Sequence, residues 1–324
     1  MLAGHIVAPG KINLAEVPEP RLDSSSDEGQ ILFQVELACL CGSDLPYFDG
    51  ENAPYPLQVG YSLHEMVGTV VETNGSRFRP RDRVLAVPIS QHGLFERFVL
   101  DENRAIPIDP RPTNEHALLA QPLGTVIYAM KKLPAVIDQD VAIVGQGPMG
   151  QIFCSVLRNL GARRIIAIDL LAGRLRNSER MGATHTICAA TEDVSQRVQE
   201  ITAGEMGDLV IEAVGHLNQA LDLCTQLCRR KGQILFFGVP QETIQQIHWL
   251  DLFRKNITLH TSVEPDFSRD FPLAMQWIAE GRIDLRPLIT HRYALHEIQR
   301  AFEAFCNKED DALKVLIDFP QSGQ

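Results

Sequence analysis

Positive charge is in short supply in this chain. Its 30 lysines and arginines stand against 41 aspartates and glutamates, a formal net charge of −11 over 324 residues. Without a general basic field to attract phosphates, neither a nucleic acid nor an anionic membrane surface fits as a partner. Long apolar runs are missing too: nothing reaches membrane-spanning length, and Met1 to Gly10 has neither the basic segment nor the apolar core of a secretory signal. Cysteine is sparse and odd in number, seven in all. Cys154, Cys188 and Cys306 each follow an apolar residue, the setting of a small hydrophobe. Cys224 and Cys228 lie four apart on a predicted helix, with no further ligand at metal spacing. A reduced, cytoplasmic protein is expected. Internal repeats and low-complexity tracts are absent, and the Ser24 to Gly29 run reads as a solvated loop. What remains is ordinary globular composition, 45% hydrophobic and 22% charged, at a length suited to about two domains.

The most telling stretch lies mid-chain. Val141-Ala142-Ile143-Val144 is a short β-branched run that leads into Gly145-Gln146-Gly147-Pro148-Met149-Gly150, and a helical pattern follows from Gln151 to Leu160. A second run, Ile165 to Ile168, ends on Asp169. Strand, G-x-G-x-x-G, helix, strand and terminal acid together form a dinucleotide-binding fingerprint. Gly145 permits the tight turn, Gly147 lets backbone approach a pyrophosphate, and Gly150 lets helix pack close to strand. The helix N-terminus at Pro148 and Met149 offers free N–H groups to that pyrophosphate. Asp169 would accept from the adenosine ribose hydroxyls and repel a 2′-phosphate, so NAD is the expected cofactor. Arg174, five residues on, joins the predicted cofactor set.

Texture changes along the chain. Up to Leu119, short runs such as Gln30–Leu37, Gly68–Val71, Arg83–Val87 and Phe95–Leu100, separated by turn residues, predict a mostly β domain. Beyond it, predicted helices (Gly124–Lys132, Arg174–Met181, Val194–Thr202, Leu217–Arg230) alternate with predicted strands (Thr186–Cys188, Leu209–Ala213, Gln233–Gly238, Thr258–Thr261). With the fingerprint strands these give six strands and crossover helices, a doubly wound parallel sheet. The tail predicts helices over Phe271–Glu280 and Ala294–Phe305 and a last strand over Lys314–Phe319.

The β half must supply the chemistry. Cys41-Gly42-Ser43-Asp44 and His64-Glu65 offer a thiolate, an imidazole and a carboxylate, ligand types that a catalytic Zn²⁺ takes with one position left open. Asp44 is placed to turn back and accept the other ring N–H of His64. Ser43 could pass on an alcohol's proton. Each is weak evidence alone: an isolated cysteine is usually core, and a His-Glu pair usually surface.

The combination resembles the zinc-dependent branch of the medium-chain dehydrogenase/reductase superfamily, the alcohol, sorbitol and threonine dehydrogenases. Cys41-Gly42-Ser43-Asp44 is similar to its Cys-x-Ser/Thr-Asp element, and His64 to Val70 to its Gly-His-Glu-x-x-Gly-x-Val element. Gly93 to Val99, Ala120 to Leu123 and Ile289 to Tyr293 match further segments in the same order. The resemblance implies a GroES-like β-rich catalytic domain, residues 1–122 plus 265–324. A Rossmann NAD-binding domain, residues 123–264, would be inserted before the tail, with the active site in the cleft between them. It implies one catalytic Zn²⁺ on Cys41, His64 and Glu65, a small alcohol or carbonyl substrate, and Ser43 and Asp44 as catalytic residues. The backbone of Ala213 and Val214 would touch the nicotinamide half of the cofactor, and a homodimer or homotetramer would form through the Rossmann edge strand.

Four departures are visible. Pro46 stands where many relatives carry a relay histidine, and Gln121 replaces a glutamate that ligates or orients the zinc, leaving the carboxylate role to Glu65. Tyr61-Ser62-Leu63 are extra between Gly60 and His64. The structural-zinc lobe is missing between Val87 and Gly93, so no structural Zn²⁺ is expected. Adjacent strand residues point to opposite faces, so His64 and Glu65 can both ligate only if the backbone there is irregular. Two further readings are a zinc-free reductase resembling quinone reductases, and a non-catalytic NAD-binding protein with a degenerate metal site. His92, a loop histidine, is expected to be exposed. Tyr47 and Phe48 are read as pocket lining or core in equal measure.

Overall fold

The computed structural model describes residues 1–23, 25, 29–50, 54–215, 220–243 and 247–320. These form two units: residues 1–121, 266–281 and 289–324, and residues 122–265 with 282–288. Most of the Ser24 to Gly29 run lies outside the described residues.

The first unit opens with an antiparallel pair the sequence reading missed, β1 (Leu2–Ala8) and β2 (Lys11–Glu16). Then come β3 (Gln30–Cys39), β4 (Glu65–Thr73), β5 (Arg83–Ala86), β6 (Arg97–Asp101) and β7 (Ala105–Pro107). The second unit holds β8 (Asp140–Val144), β9 (Arg164–Asp169), β10 (His185–Cys188), β11 (Gly207–Glu212), β12 (Cys228–Phe236) and β13 (Thr258–Thr261). The chain returns to the first unit for β14 (Ile289–Ala294) and β15 (Lys314–Asp318).

Apart from the β1–β2 pair, which is a sheet of its own, the strands of the first unit form one sheet in the order β14-β15-β3-β4-β5-β7, with β6 also on β3. Its core joins Phe33, Met66 and Leu94 to Ile298, Phe302 and Val315, so the tail completes the β domain as expected. Sheet register gathers three chain segments at one end. Cys39 pairs with Glu65 and with Leu316, and Leu40 N donates to Val315 O at 3.0 Å. The end of β3 and the starts of β4 and β15 therefore meet.

The six-stranded sheet of the second unit is parallel throughout, in the order β10-β9-β8-β11-β12-β13. This is the doubly wound order, turning back beside β8. Buried Val144, Ile166, Val210 and Ile234 fill its core. The first crossover helix, Pro148–Leu160, begins on a proline and ends at Gly161, whose φ is +87°. Proline at the start and a left-handed glycine at the end are the residues those positions favour.

One predicted helix is shorter than its pattern. The span Leu217–Arg230 yields a helix over Ala220–Leu227, and Cys228 already begins β12; residues 217–219 are not described. The Lys255 ammonium ends it, donating to the carbonyls of Thr225, Gln226 and Cys228 at 2.8, 3.0 and 2.9 Å. Carbonyls that would have accepted within a longer helix are satisfied by a distant cation instead.

Candidate active site

Cys41 follows β3 and precedes a short 3₁₀ turn, Gly42–Asp44, and a single helical turn, Leu45–Phe48. His64 lies just before β4, and Glu65 is its first residue. The geometric obstacle posed by adjacent residues is removed there: Ser62 and Leu63 have φ of +98° and +63°, so His64 is set by an irregular turn rather than a pleat. The extra residues supply that turn. As a result the donor atoms of Cys41, His64 and Glu65 all lie within 4.8 Å of one another. A tetrahedral Zn²⁺ with bonds of about 2.0–2.3 Å holds its donors roughly 3.3–3.8 Å apart, so these three need only close slightly inward to take one. His64 Nδ1 is covered and has no hydrogen-bond partner among the described residues. The residues fit a metal ion.

Electrostatics agree with a shared centre. Burial works to lower the His64 pKa, but the Cys41 sulfur beside it, with Asp44 and Glu65, outweighs burial and lifts it to about 9. A metal entering this site displaces that proton.

The expected role of Asp44 is corrected. Its carboxylate does not take the second ring N–H of His64. Oδ1 accepts from Ser62 Oγ at 2.7 Å and Leu63 N at 3.0 Å, and Oδ2 from Cys41 N at 2.8 Å. Asp44 is fully buried and pins the Cys41 turn to the extra segment, which brought its own donors and so redirected the acid. Ser43 Oγ is covered and has no hydrogen-bond partner among the described residues.

Sequence reasoning missed Lys314. It is 1% exposed and its Nζ lies 2.5 Å from Glu65 Oε2. Burial alone would lower its pKa, yet Glu65, with Cys39 and Cys41 nearby, keeps it raised. A carboxylate has roughly four acceptor positions over two oxygens, so one ammonium leaves Glu65 able to meet a metal. The available signal was a lysine opening the apolar run Val315-Leu316-Ile317. Gln121 is buried at the start of the helix Ala120–Met130. His92 departs from its expected exposure: it is half-buried, and its ring meets Tyr61 edge to face at 5.0 Å.

In the second unit the fingerprint takes its expected shape. Gly145 has φ of +95°. A Cβ on Gly150 would overlap the Gly145 carbonyl, so only glycine lets the helix approach. A Cβ on Gly147 would meet only Arg174 Nη1, 3.9 Å away, so that glycine serves no packing need inside the protein. Its value lies in the open space beside it, next to Pro148 and Met149 on the first helical turn. Asp169, at the end of β9, accepts from Gln146 N at 2.6 Å and Leu171 N at 2.9 Å, which fixes its carboxylate beside the glycine turn.

Glu212 was overlooked by the sequence reading except as part of a strand end. It is fully buried. Oε1 accepts from Val214 N at 2.9 Å and Gly215 N at 3.0 Å, and Oε2 from Gly238 N at 3.0 Å. One side chain thus shapes the Ala213–Val214 backbone and ties it to the chain after β12. Its signal was an acid closing the apolar run Leu209-Val210-Ile211.

Residues 27–103 match the alcohol dehydrogenase GroES-like domain family, and residues 148–280 the zinc-binding dehydrogenase family. An uncharacterized zinc-type alcohol dehydrogenase-like protein of Escherichia coli K12 is 27% identical over 95% of this chain and 95% of its own. The sorbitol dehydrogenase of Bacillus subtilis is 25% identical over 95% of this chain and 94% of its own. Among solved structures, the alcohol dehydrogenase TADH of Thermus sp. ATN1 superposes with a TM-score of 0.85 at 26% identity, covering 99% of this chain and 100% of that one. With a GroES-like unit, a Rossmann unit and both family matches in the expected order, the chain belongs to the zinc-type medium-chain dehydrogenase/reductase superfamily.

Proposed function

We propose that the protein is an NAD-dependent dehydrogenase that interconverts an alcohol, of the polyol, sugar-alcohol or amino-alcohol kind, and its carbonyl with the help of one zinc ion. The observation that carries this reading is the set of thiolate, imidazole and carboxylate donors gathered within 4.8 Å at one end of the first sheet. Cys41, His64 and Glu65 hold the metal. When bound, Zn²⁺ supplies Lewis acidity at the alcohol oxygen and NAD supplies the hydride-accepting ring. Ser43 relays the alcohol's proton, its Oγ accepting that proton while its own hydroxyl proton passes on toward the ribose hydroxyls and solvent, and Asp44 keeps the Cys41–Ser43 turn in place for it. Residues 1–122 with 265–324 serve as the catalytic domain and 123–264 as the cofactor domain. Gly145, Gly147, Pro148, Met149 and Gly150 cradle the pyrophosphate, with Arg174 beside it. Asp169 takes the adenosine ribose, and Ala213 and Val214 border the nicotinamide. The superfamily relatives named above support the alcohol as substrate class. β13 ends the second sheet, an edge through which copies would pair into a homodimer or homotetramer, and the sparse, scattered cysteines suit a cytoplasmic protein.

The test is to measure bound zinc on purified protein, then NAD reduction across polyols and secondary alcohols with and without chelator. Zinc near one per chain and activity lost to chelator are expected. Chelator-insensitive turnover would instead favour a quinone-reductase-like enzyme, and NAD binding without turnover a non-catalytic protein.

A further inference from the structure

The glycine turn of the second unit is tied to the next crossover helix, Ala172–Arg180, in two places. The first tie is Asp169, which accepts from Gln146 N and Leu171 N. Its carboxylate is also proposed to take the ribose hydroxyls, so a ligand competes for its lone pairs. The second tie is the side-chain amide of Gln151, which is fully buried and meets only the protein. Gln151 Nε2 donates to Gln146 O, in the turn, at 3.0 Å, and to Arg174 O, on the helix, at 3.3 Å. Its Oε1 accepts from Asn177 Nδ2 at 2.7 Å, and Asn177 Nδ2 also donates to Pro287 O at 3.0 Å. A backbone carbonyl only accepts, so Pro287 fixes which way round the Asn177 amide stands. Asn177 in turn fixes Gln151, whose two N–H bonds are left for the two carbonyls. Ser178 Oγ, 2.9 Å from both Gln146 Oε1 and Arg174 O, closes the network.

What this second tie controls is the place of Arg174. The nearest heavy atom to a Cβ built on Gly147 is Arg174 Nη1, at 3.9 Å, so the guanidinium stands beside the open face of the turn. The same residue is gripped at its carbonyl by Gln151 and Ser178. A shift of the helix would carry the guanidinium with it, and pairing of its planar fork with phosphate oxygens depends on that geometry. A neutral amide suits the holding task. It offers two donors to two buried carbonyls without burying a charge. The positive charge facing the pyrophosphate is then left to Arg174.

Resting on the reading of the second unit as the NAD site, we propose that Gln151 is a positioning residue for the cofactor. Its amide, oriented by Asn177, holds the helix Ala172–Arg180 against the glycine turn and so sets Arg174 on the pyrophosphate, while Gln151 itself touches no part of NAD. Losing the amide weakens recognition of the pyrophosphate. Recognition of adenosine is spared, because Asp169 keeps its two backbone donors.

The experiment is a double-mutant cycle on the full chain, with ADP-ribose binding read by calorimetry and adenosine binding by NMR titration. Gln151→Met keeps the side chain's length and removes its hydrogen bonds. It should weaken ADP-ribose by about tenfold and adenosine by no more than about twofold. In the Arg174→Ala background the same change should alter ADP-ribose affinity by less than about twofold, because Gln151 acts through that guanidinium. Asn177→Ala removes only the group that orients Gln151, and should show the same pattern at about threefold. Crossed with Arg174→Ala, it carries the cycle by itself if Gln151→Met does not fold. Equal losses for ADP-ribose and adenosine would overturn the proposal, as would a loss that persists at full size without Arg174. Unchanged ADP-ribose affinity in both Gln151→Met and Asn177→Ala would overturn it too. Wild-type protein that binds ADP-ribose but oxidises no alcohol would remove the dehydrogenase reading and leave this proposal standing. Wild-type protein that binds no ADP-ribose would overturn both.

Discussion

Glu65 and Glu212 are both acids buried at a strand end, 2% and 0% exposed, and they are stabilised in opposite ways. Glu65, in the first unit, faces the ammonium of Lys314. Glu212, in the second, faces no cation among the contacts that hold it; three backbone N–H groups share its two oxygens. An ammonium can be supplemented or replaced by another cation. Three amide donors built into turns cannot be exchanged for anything. The first arrangement suits a carboxylate that must answer to a metal, and the second suits one whose task is to hold backbone still.

Removing the counter-cation should therefore have the largest effect. Lys314→Met leaves the Glu65 charge buried without its partner, a change that costs on the order of 3–5 kcal/mol. Denaturation of the metal-free protein should show that loss, and added Zn²⁺ should stabilise the variant more than the wild type, because the metal becomes Glu65's remaining counter-charge. Equal zinc stabilisation of both proteins would break the assignment of Glu65 as a ligand and erase the contrast with Glu212.

Glu212→Gln comes next. One oxygen becomes an NH₂ that must face a backbone donor, a mismatch worth about 1–3 kcal/mol. Zinc should not offset it. Affinity for NAD should fall more than affinity for ADP-ribose, since the displaced backbone is the part proposed to border the nicotinamide half; calorimetry with both ligands checks this. Equal losses for the two would reduce Glu212 to a general stabiliser.

The two regions also differ in how far their sequences announced them. In the second unit, Gly145 to Asp169 is one contiguous segment whose function is local, and the doubly wound parallel sheet followed from the alternation of elements. In the first, the decisive relations span the chain: Glu65 and Lys314 are 249 positions apart, and only the register of β3 with β4 and β15 joins them. Cys41, His64 and Glu65 were recognisable from their elements. Two of Asp44's three donors were not, because they sit in the extra segment Ser62–Leu63 and no motif describes it. The half-buried setting of His92 escaped for a similar reason, being placed by the Pro88–Gly93 turn, which bonds to that same segment.

Within the fingerprint, Gly147→Ala and Gly150→Ala should separate ligand from fold. Gly147 has φ of −65°, and a methyl there finds open space. Stability should hold while NAD affinity drops by about tenfold, as the methyl occupies the pyrophosphate's approach. Gly150→Ala places its methyl against the Gly145 carbonyl and should lower stability as well. Thermal denaturation beside NAD titration distinguishes them, and a destabilised Gly147→Ala would show that its space is already taken by the protein.

The smallest effect is expected at Ser62. Asp44 resembles Glu212 more than Glu65: it too is fully buried, and two of its three donors, Cys41 N and Leu63 N, are backbone. Ser62→Ala removes only the hydroxyl donor, at 2.7 Å. The two amide bonds remain to hold the Cys41 turn against the His64 segment, so the cost should be near 1 kcal/mol. Zinc affinity, measured by competition with a chelating dye, should stay within about twofold of wild type. A tenfold loss would mean that the hydroxyl alone sets the spacing of Cys41 and His64. Asp44 would then belong with Glu65 among the groups that answer to the metal, and the division between exchangeable and fixed carboxylates would have to be redrawn through the active-site turn itself.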